Sequence, residues 1–410
     1  MTRLEAPGTT AQHPGAQRPG ASGPAAAPDP PATAGPTTAP GRAAPSDPLA
    51  TPDPPATRDA DPLGAARRAR RARLWTLALA AATLVSIVVC LGIGPVAIPP
   101  LRAAEIVLAH LGLPVDPHAT PAQDSIIWAV RTPRVVLGAG VGACLAVCGA
   151  ALQAMVRNLL ADPYVLGISG GASAGAAAAI LFGAGGMLGA AAQPVLAFAG
   201  AMIAALAVLV LARAHGAVTS LRMLLAGIAV GYVLSAVTNL LIFTSDSAEG
   251  SRSVMFWMLG SLALGHWDAF LALVLLAGVL GTLLLTVLGP VLDALAAGDE
   301  TAWSLGIHPD RARVGLLAVV SLCTGAAVSA AGAIGFVGLV IPHLARRLVG
   351  GVHRRMLPVT ALLGALFLIW ADAIARIALA PRELPIGVLT ALVGAPFLVV
   401  LVRRLHTRGL

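Results

Sequence analysis

The feature that most constrains this chain is an apolar block from Val314 to Gly350, 37 residues long, whose end lies among Arg346, Arg347, Arg354 and Arg355. As one helix it would measure about 55 Å, against a hydrocarbon core about 30 Å thick. The block therefore has to fold back on itself. Ala330, Ala331, Gly332 and Ala333 supply small residues and a permissive glycine at its middle. Such a hairpin brings both of its ends to one side, and the arginines mark that side as cytoplasmic.

The same reading gives ten spans over the chain: 74–93, 135–156, 164–183, 194–213, 222–243, 268–289, 314–332, 334–350, 357–379 and 386–402. With 57% hydrophobic and 11% charged residues and a mean hydropathy of +0.84, the composition lies outside that of soluble domains. The predicted fold class is an all-α polytopic membrane protein with ten transmembrane helices and both termini cytoplasmic. An even count returns Arg403, Arg404 and Arg408 to the side of Arg67, Arg68, Arg70, Arg71 and Arg73, whereas a single pass over 314–350 would strand one arginine group outside. Residues 1–66, rich in Pro and Ala, are predicted to be a disordered cytoplasmic tail, and residues 67–410 the transmembrane domain. ACLAVCGA (143–150) echoes AAVSAAGA (326–333) in spans of opposite direction, the pattern of an inverted repeat.

Charge excludes several functions. The formal +8 comes wholly from arginines at the ends of apolar segments, so no surface for nucleic acid is expected. The chain has no lysine and therefore no Walker A motif; any ATP that drives it is hydrolysed by another subunit. Cys90, Cys144, Cys148 and Cys323 fall inside apolar runs without a CxxC pattern, so no disulfide framework or metal site is expected, and Cys144 with Cys148 reads as packing.

The connection 94–134 lies outside in this topology and contains a short surface helix within IPPLRAAEIVLAHLGL. At its end Arg131, Thr132, Pro133 and Arg134 stand at the outer mouth of the second span, joined by Arg376 at the outer end of the ninth. They are either ordinary solvated charges or a docking site for carboxylates of an external partner. Asp372, four residues before Arg376, is placed to pair with it. The cytoplasmic loop 292–313 carries Asp293, Asp299, Glu300 and Asp310, and its Asp299, Glu300, Trp303 and Leu305 form an amphipathic unit, either a solvated turn or a contact surface. On the fifth span Ser235, Thr238 and Asn239 share a polar face that either lines a water-filled path or bonds helix to helix. Gly167 to Gly171 fits the G-x-S-x-G of an intramembrane serine hydrolase, a distant alternative, because nothing marks His343 as the base that Ser169 would need. No catalytic residue is expected.

Taken in order, RTPR, the helix ending in Gln153 and Arg157-Asn158, LGISGGA, WMLGSL, GDETAWSLG, GAIGFVGLVIPH and RELPIGVLTALVGAPF resemble the permease family of bacterial ABC importers for iron-siderophores, haem and cobalamin. The resemblance covers about residues 75–405. It implies a permease domain of ten helices in the cell membrane that is not itself an enzyme and binds no cofactor or metal. The expected partners are a second permease subunit, identical or homologous, a cytoplasmic ABC ATPase dimer that uses the ATP, an extracytoplasmic binding protein and membrane lipid. By the same resemblance Arg131, Arg134 and Arg376 dock the binding protein, while Gly298, Asp299, Glu300, Ala302, Leu305 and Gly306 couple to the ATPase. Ser235, Thr238 and Asn239 line the path. A ferric siderophore is the expected cargo, with cobalamin or haem as the alternative. One departure is Leu159, where the family's R-N-P-L carries proline.

Overall fold

A backbone amide in hydrocarbon has no solvent partner, so each long apolar stretch closes its hydrogen bonds within itself as a helix. The structure, a computed structural model, describes residues 64–406 apart from Pro117 and His215, and the tail predicted over 1–66 lies outside the described residues up to position 63. Among the described residues there is no strand beyond one isolated bridge, Leu379 to Arg382.

α1 (Ala65–Gly92) starts in the arginine cluster, and α2 (Pro100–His110) is the expected surface helix. α3 (Pro121–Ser125), capped by Thr120 and Gln123, runs through a π-helical stretch, Ile126–Arg131, into α4 (Thr132–Val156). After a break come α5 (Ile168–Phe182), α6 (Ala192–Arg213), α7 (Ser220–Phe243), the short α8 (Ala248–Met258) and α9 (Ala269–Val287). Two small helices, α10 (Gly289–Ala297) and α11 (Asp299–Ser304), lead to α12 (Pro309–Ala331), α13 (Val337–Val349), α14 (His353–Ile377) and α15 (Ile386–His406).

The apolar block 314–350 does fold back, at Gly332–Phe336. Gly332 (φ 69°) and Phe336 (φ 68°) adopt left-handed backbone there, and α12 and α13 form the two limbs. The limbs are unequal: α13 has 13 residues, about 20 Å. α5, with 15 residues after the break at 157–167, is short for the same reason. Among the described residues seven helical stretches are long and apolar enough to cross a membrane; α5 and the Ile386–Leu401 part of α15 are shorter apolar pieces, and α13 is shorter still. The two breaks meet, since Tyr164 Oη accepts the Ile334 amide at 2.7 Å. In both places a long helix is followed by a short one, and the two breaks touch.

α4 is the most deeply buried of the seven long stretches. Small residues let its neighbours close in on it: a Cβ on Gly142 would collide with the Gly364 carbonyl of α14, and one on Gly149 with Gly338 of α13. Cys144 and Cys148 pack in this core, as expected, with their thiols toward the carbonyls of Val274 and Val320.

Candidate functional site

The candidate residues fall at the two ends of α4 and in a groove beside α7. At the Val156 end, left-handed backbone at Gly298 (φ 130°) and Gly306 (φ 76°) lets the chain turn on either side of α11, where a larger residue would be strained. Ala302 is the buried residue of α11, while Glu300 is exposed and Trp303 and Leu305 are 56% and 64% exposed. The Trp303 ring packs on His308 at 4.6 Å. Large apolar side chains held out beside a carboxylate suit a protein partner better than water. Asp299 faces inward instead. Its carboxylate accepts from Arg313 Nη2 at 2.6 Å and Nη1 at 3.1 Å. Arg313, 1% exposed, also donates to the carbonyls of Met155 (3.3 Å) and Val218 (3.2 Å) and to Ser220 Oγ (3.0 Å). These Arg313 hydrogen bonds hold the Asp299 carboxyl below the usual carboxylate range, with burial opposing them. One guanidinium thus ties α11 to the ends of α4 and α7.

The groove lies between α5 and α7 and has a volume of about 450 Å³. Ser235, Thr238 and Asn239 all line it, together with Ser169 and Ser173 of α5. Its wall is neutral: hydroxyls, one amide, glycine backbone and the apolar Val165, Ile228 and Met258. Close approach of the two walls depends on Gly227, whose Cβ would strike the Val165 carbonyl. Thr238 donates to Leu234 of its own helix at 2.9 Å, so part of the polar face is satisfied without any ligand. α7 is the least buried of the long apolar stretches, with Tyr232 76% exposed. His343 does not serve Ser169: neither ring nitrogen has a hydrogen-bond partner, and the ring stands edge-on to Phe397 at 5.9 Å.

The opposite end of α4 holds Arg131, Arg134 and Arg376, all three buried. Arg134 Nε donates to Asp372 at 2.9 Å and its Nη1 to Glu383 at 2.9 Å. Arg376 pairs with Asp372 at 3.1 Å, the expected i,i+4 contact, and donates to the carbonyls of Ile93 (2.7 Å) and Cys90 (3.1 Å). Arg131 donates to the carbonyls of Leu91 and Val96. The sequence reads these guanidiniums as solvated charges or a docking site at an outer mouth; in the structure they are buried, and the chain's own carboxylates and carbonyls occupy them. Burial explains the difference, since an arginine near hydrocarbon is costly until its charge and donors are matched. Glu383, with a side chain 40% exposed, is the part of this cluster that reaches the surface.

With this geometry in hand, comparison with known proteins is decisive. Residues 82–404 match the FecCD transport family. A cobalamin import permease of Halobacterium salinarum is 39% identical over 83% of this chain and 98% of its own length. The chain belongs to the FecCD transport family. An iron(3+)-hydroxamate import permease of Bacillus subtilis is 38% identical over 72% of this chain and 75% of its own. A solved inward-facing ABC transporter of metal-chelate type superposes with a TM-score of 0.70 at 30% identity, covering 80% of this chain and 98% of that one. This FecCD permease is accordingly the membrane subunit of an ABC importer and not an enzyme; ATP hydrolysis belongs to a separate subunit.

Reading the sequence of this permease missed three contributors. Arg313 is visible only as a charge just before the start of an apolar run, and Glu383 only as the acid of RELP. Gln153 stands out in the sequence only as the end of a helix; in the structure it donates to the Gly338 carbonyl at 3.1 Å and accepts from Arg346, which fastens α4 to α13. The break after α4 includes Asp162, whose side chain accepts the Tyr164 amide at 3.0 Å and whose burial raises its carboxyl to about 6.

Proposed function

We propose that this permease moves a ferric-siderophore complex across the bacterial cytoplasmic membrane by alternating access. The observation that carries the reading is the neutral groove between α5 and α7. A bare cation needs oxygen, nitrogen or sulfur ligands along its way, and among the described residues no three His, Cys, Asp or Glu come together. A chelate whose metal is already saturated needs only room and weak hydrogen bonds, which serines, a threonine and an asparagine provide.

The groove is open on one side, and the exposed face of α7 calls for a second permease subunit to close it. In this arrangement ten helices cross, both termini and α11 are cytoplasmic, and α11 seats in an ATPase dimer through Trp303, Leu305 and Glu300. No cofactor binds this chain. A binding protein docks at the outer end, where Arg131, Arg134 and Arg376 act by holding Glu383 and the loop before α15. Cobalamin is a second reading, favoured by the near full-length alignment with the cobalamin relative.

The test is uptake in a host lacking its own permeases, with the chain supplied beside its ATPase and binding protein. Iron-labelled hydroxamate siderophore should accumulate and labelled cobalamin should not. Accumulation of cobalamin alone overturns the siderophore reading and leaves the second.

A further inference from the structure

α1 extends below its apolar stretch as a cationic foot. Arg67, Arg70, Arg71 and Arg73 are exposed, and the first turn holds no acid. The helix is attached to the bundle along one stripe, Ala72, Leu79, Thr83, Ser86 and Cys90. At about 100° per residue, Arg70 lies about 160° from that stripe, and Arg67 and Arg71 follow it round one flank at about 140° and about 100°. The same outward side continues upward as Leu74, Leu77, Leu84 and Val85, which are 57%, 69%, 66% and 63% exposed. Charge and grease therefore follow one another along a single line.

A second helix reinforces the foot. α14 runs parallel to α1, pinned by Trp370 Nε1 donating to Ser86 Oγ at 3.0 Å. Counting sixteen residues down from each partner puts Arg354 level with Arg70. Arg354 is exposed, and the acid facing this corner, Asp293, is committed to His353 at 2.6 Å. Guanidinium groups bind phosphate through paired N–H donors.

We propose that this foot binds an anionic phospholipid, its phosphate held among Arg67, Arg70 and Arg71 and an acyl chain lying along Leu74, Leu77 and Leu84. The inference rests on the proposed function only in taking α1 as a membrane helix with its arginine end in the cytoplasm. A protein partner in the cytoplasm would approach the end of α1. The arginines instead share the side that faces acyl chains, which selects a lipid.

The full chain is purified in detergent micelles doped with phosphatidylglycerol or with phosphatidylcholine, and retained lipid is counted by native mass spectrometry. Phosphatidylglycerol should be retained in preference. The triple variant Arg67→Gln, Arg70→Gln, Arg71→Gln should weaken its retention about a hundredfold, about fivefold for each arginine, while Arg102→Gln on α2 leaves it unchanged. If the triple variant does not fold, Arg70→Gln alone should lower retention about fivefold. Equal retention of both lipids by the wild type, or undiminished phosphatidylglycerol in the variants, overturns the proposal. Undiminished lipid with loss of ATPase co-purification overturns it too and gives the surface to the ATPase. Retention in detergent does not depend on which side of a membrane α1 begins, so labelling tests of orientation fail or succeed separately.

Discussion

At the scale of the residue, the informative side chains are those whose partners lie far away in sequence. The Asp372–Arg376 pair is readable because four residues separate its members. The Arg134–Asp372 contact spans 238 positions and leaves no local trace. Arg313 is the same kind of residue. Arg313→Met leaves Asp299 without its cation and the Met155 and Val218 carbonyls without a donor. With Asp299 about one third exposed, we expect a loss of about 1–3 kcal/mol, read as a lower Tm in detergent, and uptake that falls while ATP hydrolysis continues. Adding Asp299→Asn should restore part of the Tm; no recovery would show that the carboxylate was never the stranded group. Asp162 makes a pH prediction of opposite sign to that of a salt-bridged acid. Its folded carboxyl titrates near 6 against about 3.9 unfolded, so the folded state holds the proton more tightly and stability falls as pH rises from about 4 to about 6. Asp162→Asn keeps an oxygen for the Tyr164 amide and removes the ionisation. The variant should match the wild type near pH 4 and exceed it by up to about 2 kcal/mol above pH 6. Parallel stability curves for the two proteins would refute this account.

At the scale of the element, helix existence was legible and helix length was not. Nine of the ten expected spans begin within five residues of the start of a helix that the structure contains, because apolar runs with polar punctuation leave little choice. The first lies inside α1, whose arginine-rich start at Ala65 belongs to the same helix although it is too polar to enter hydrocarbon. The short α5 and α13 escaped because hydropathy does not see a broken backbone: Gly332, Gly335 and the Pro163 turn interrupt the helix while the run remains apolar. Glycine contacts carry the element-level prediction. Gly142 and Gly364 face one another with no room for a Cβ on either, so Gly142→Val should drive α4 from α14 and cost about 1–3 kcal/mol or prevent folding. Gly315, inside α12, would place a Cβ in open space, and Gly315→Ala should raise stability by up to about 1 kcal/mol. Thermal unfolding of both variants in one detergent checks the pair. Equal effects would show that glycine content, and not the crossing of α4 with α14, is what matters.

At the scale of the whole molecule, the arrangement of arginines and the geometry of α4 bear independently on which helix ends lie together, and labelling tests the side on which they lie. Positive charge assigns Arg67 to Arg73, Arg346, Arg347, Arg354 and Arg355 to one side. Independently, Arg313 binds both Asp299 and the Met155 carbonyl, so α11 lies at the Val156 end of α4, and His353 binds Asp293 at 2.6 Å, so the start of α14 lies at that end as well. The Arg131 end must then be opposite, with the exposed Met187 of the loop before α6, since α5 leads away from the Asp299 end. The native cysteines are buried, so single cysteines introduced on the surface report cleanly to an impermeant maleimide. Glu300→Cys and Arg354→Cys should react only after the membrane is opened, and Met187→Cys should react in intact cells. Because these three sites report on the side of α11, of the start of α14 and of the loop before α6, labelling of Glu300→Cys from outside would break the link between α11 and an ATPase, and with it the importer mechanism as a whole.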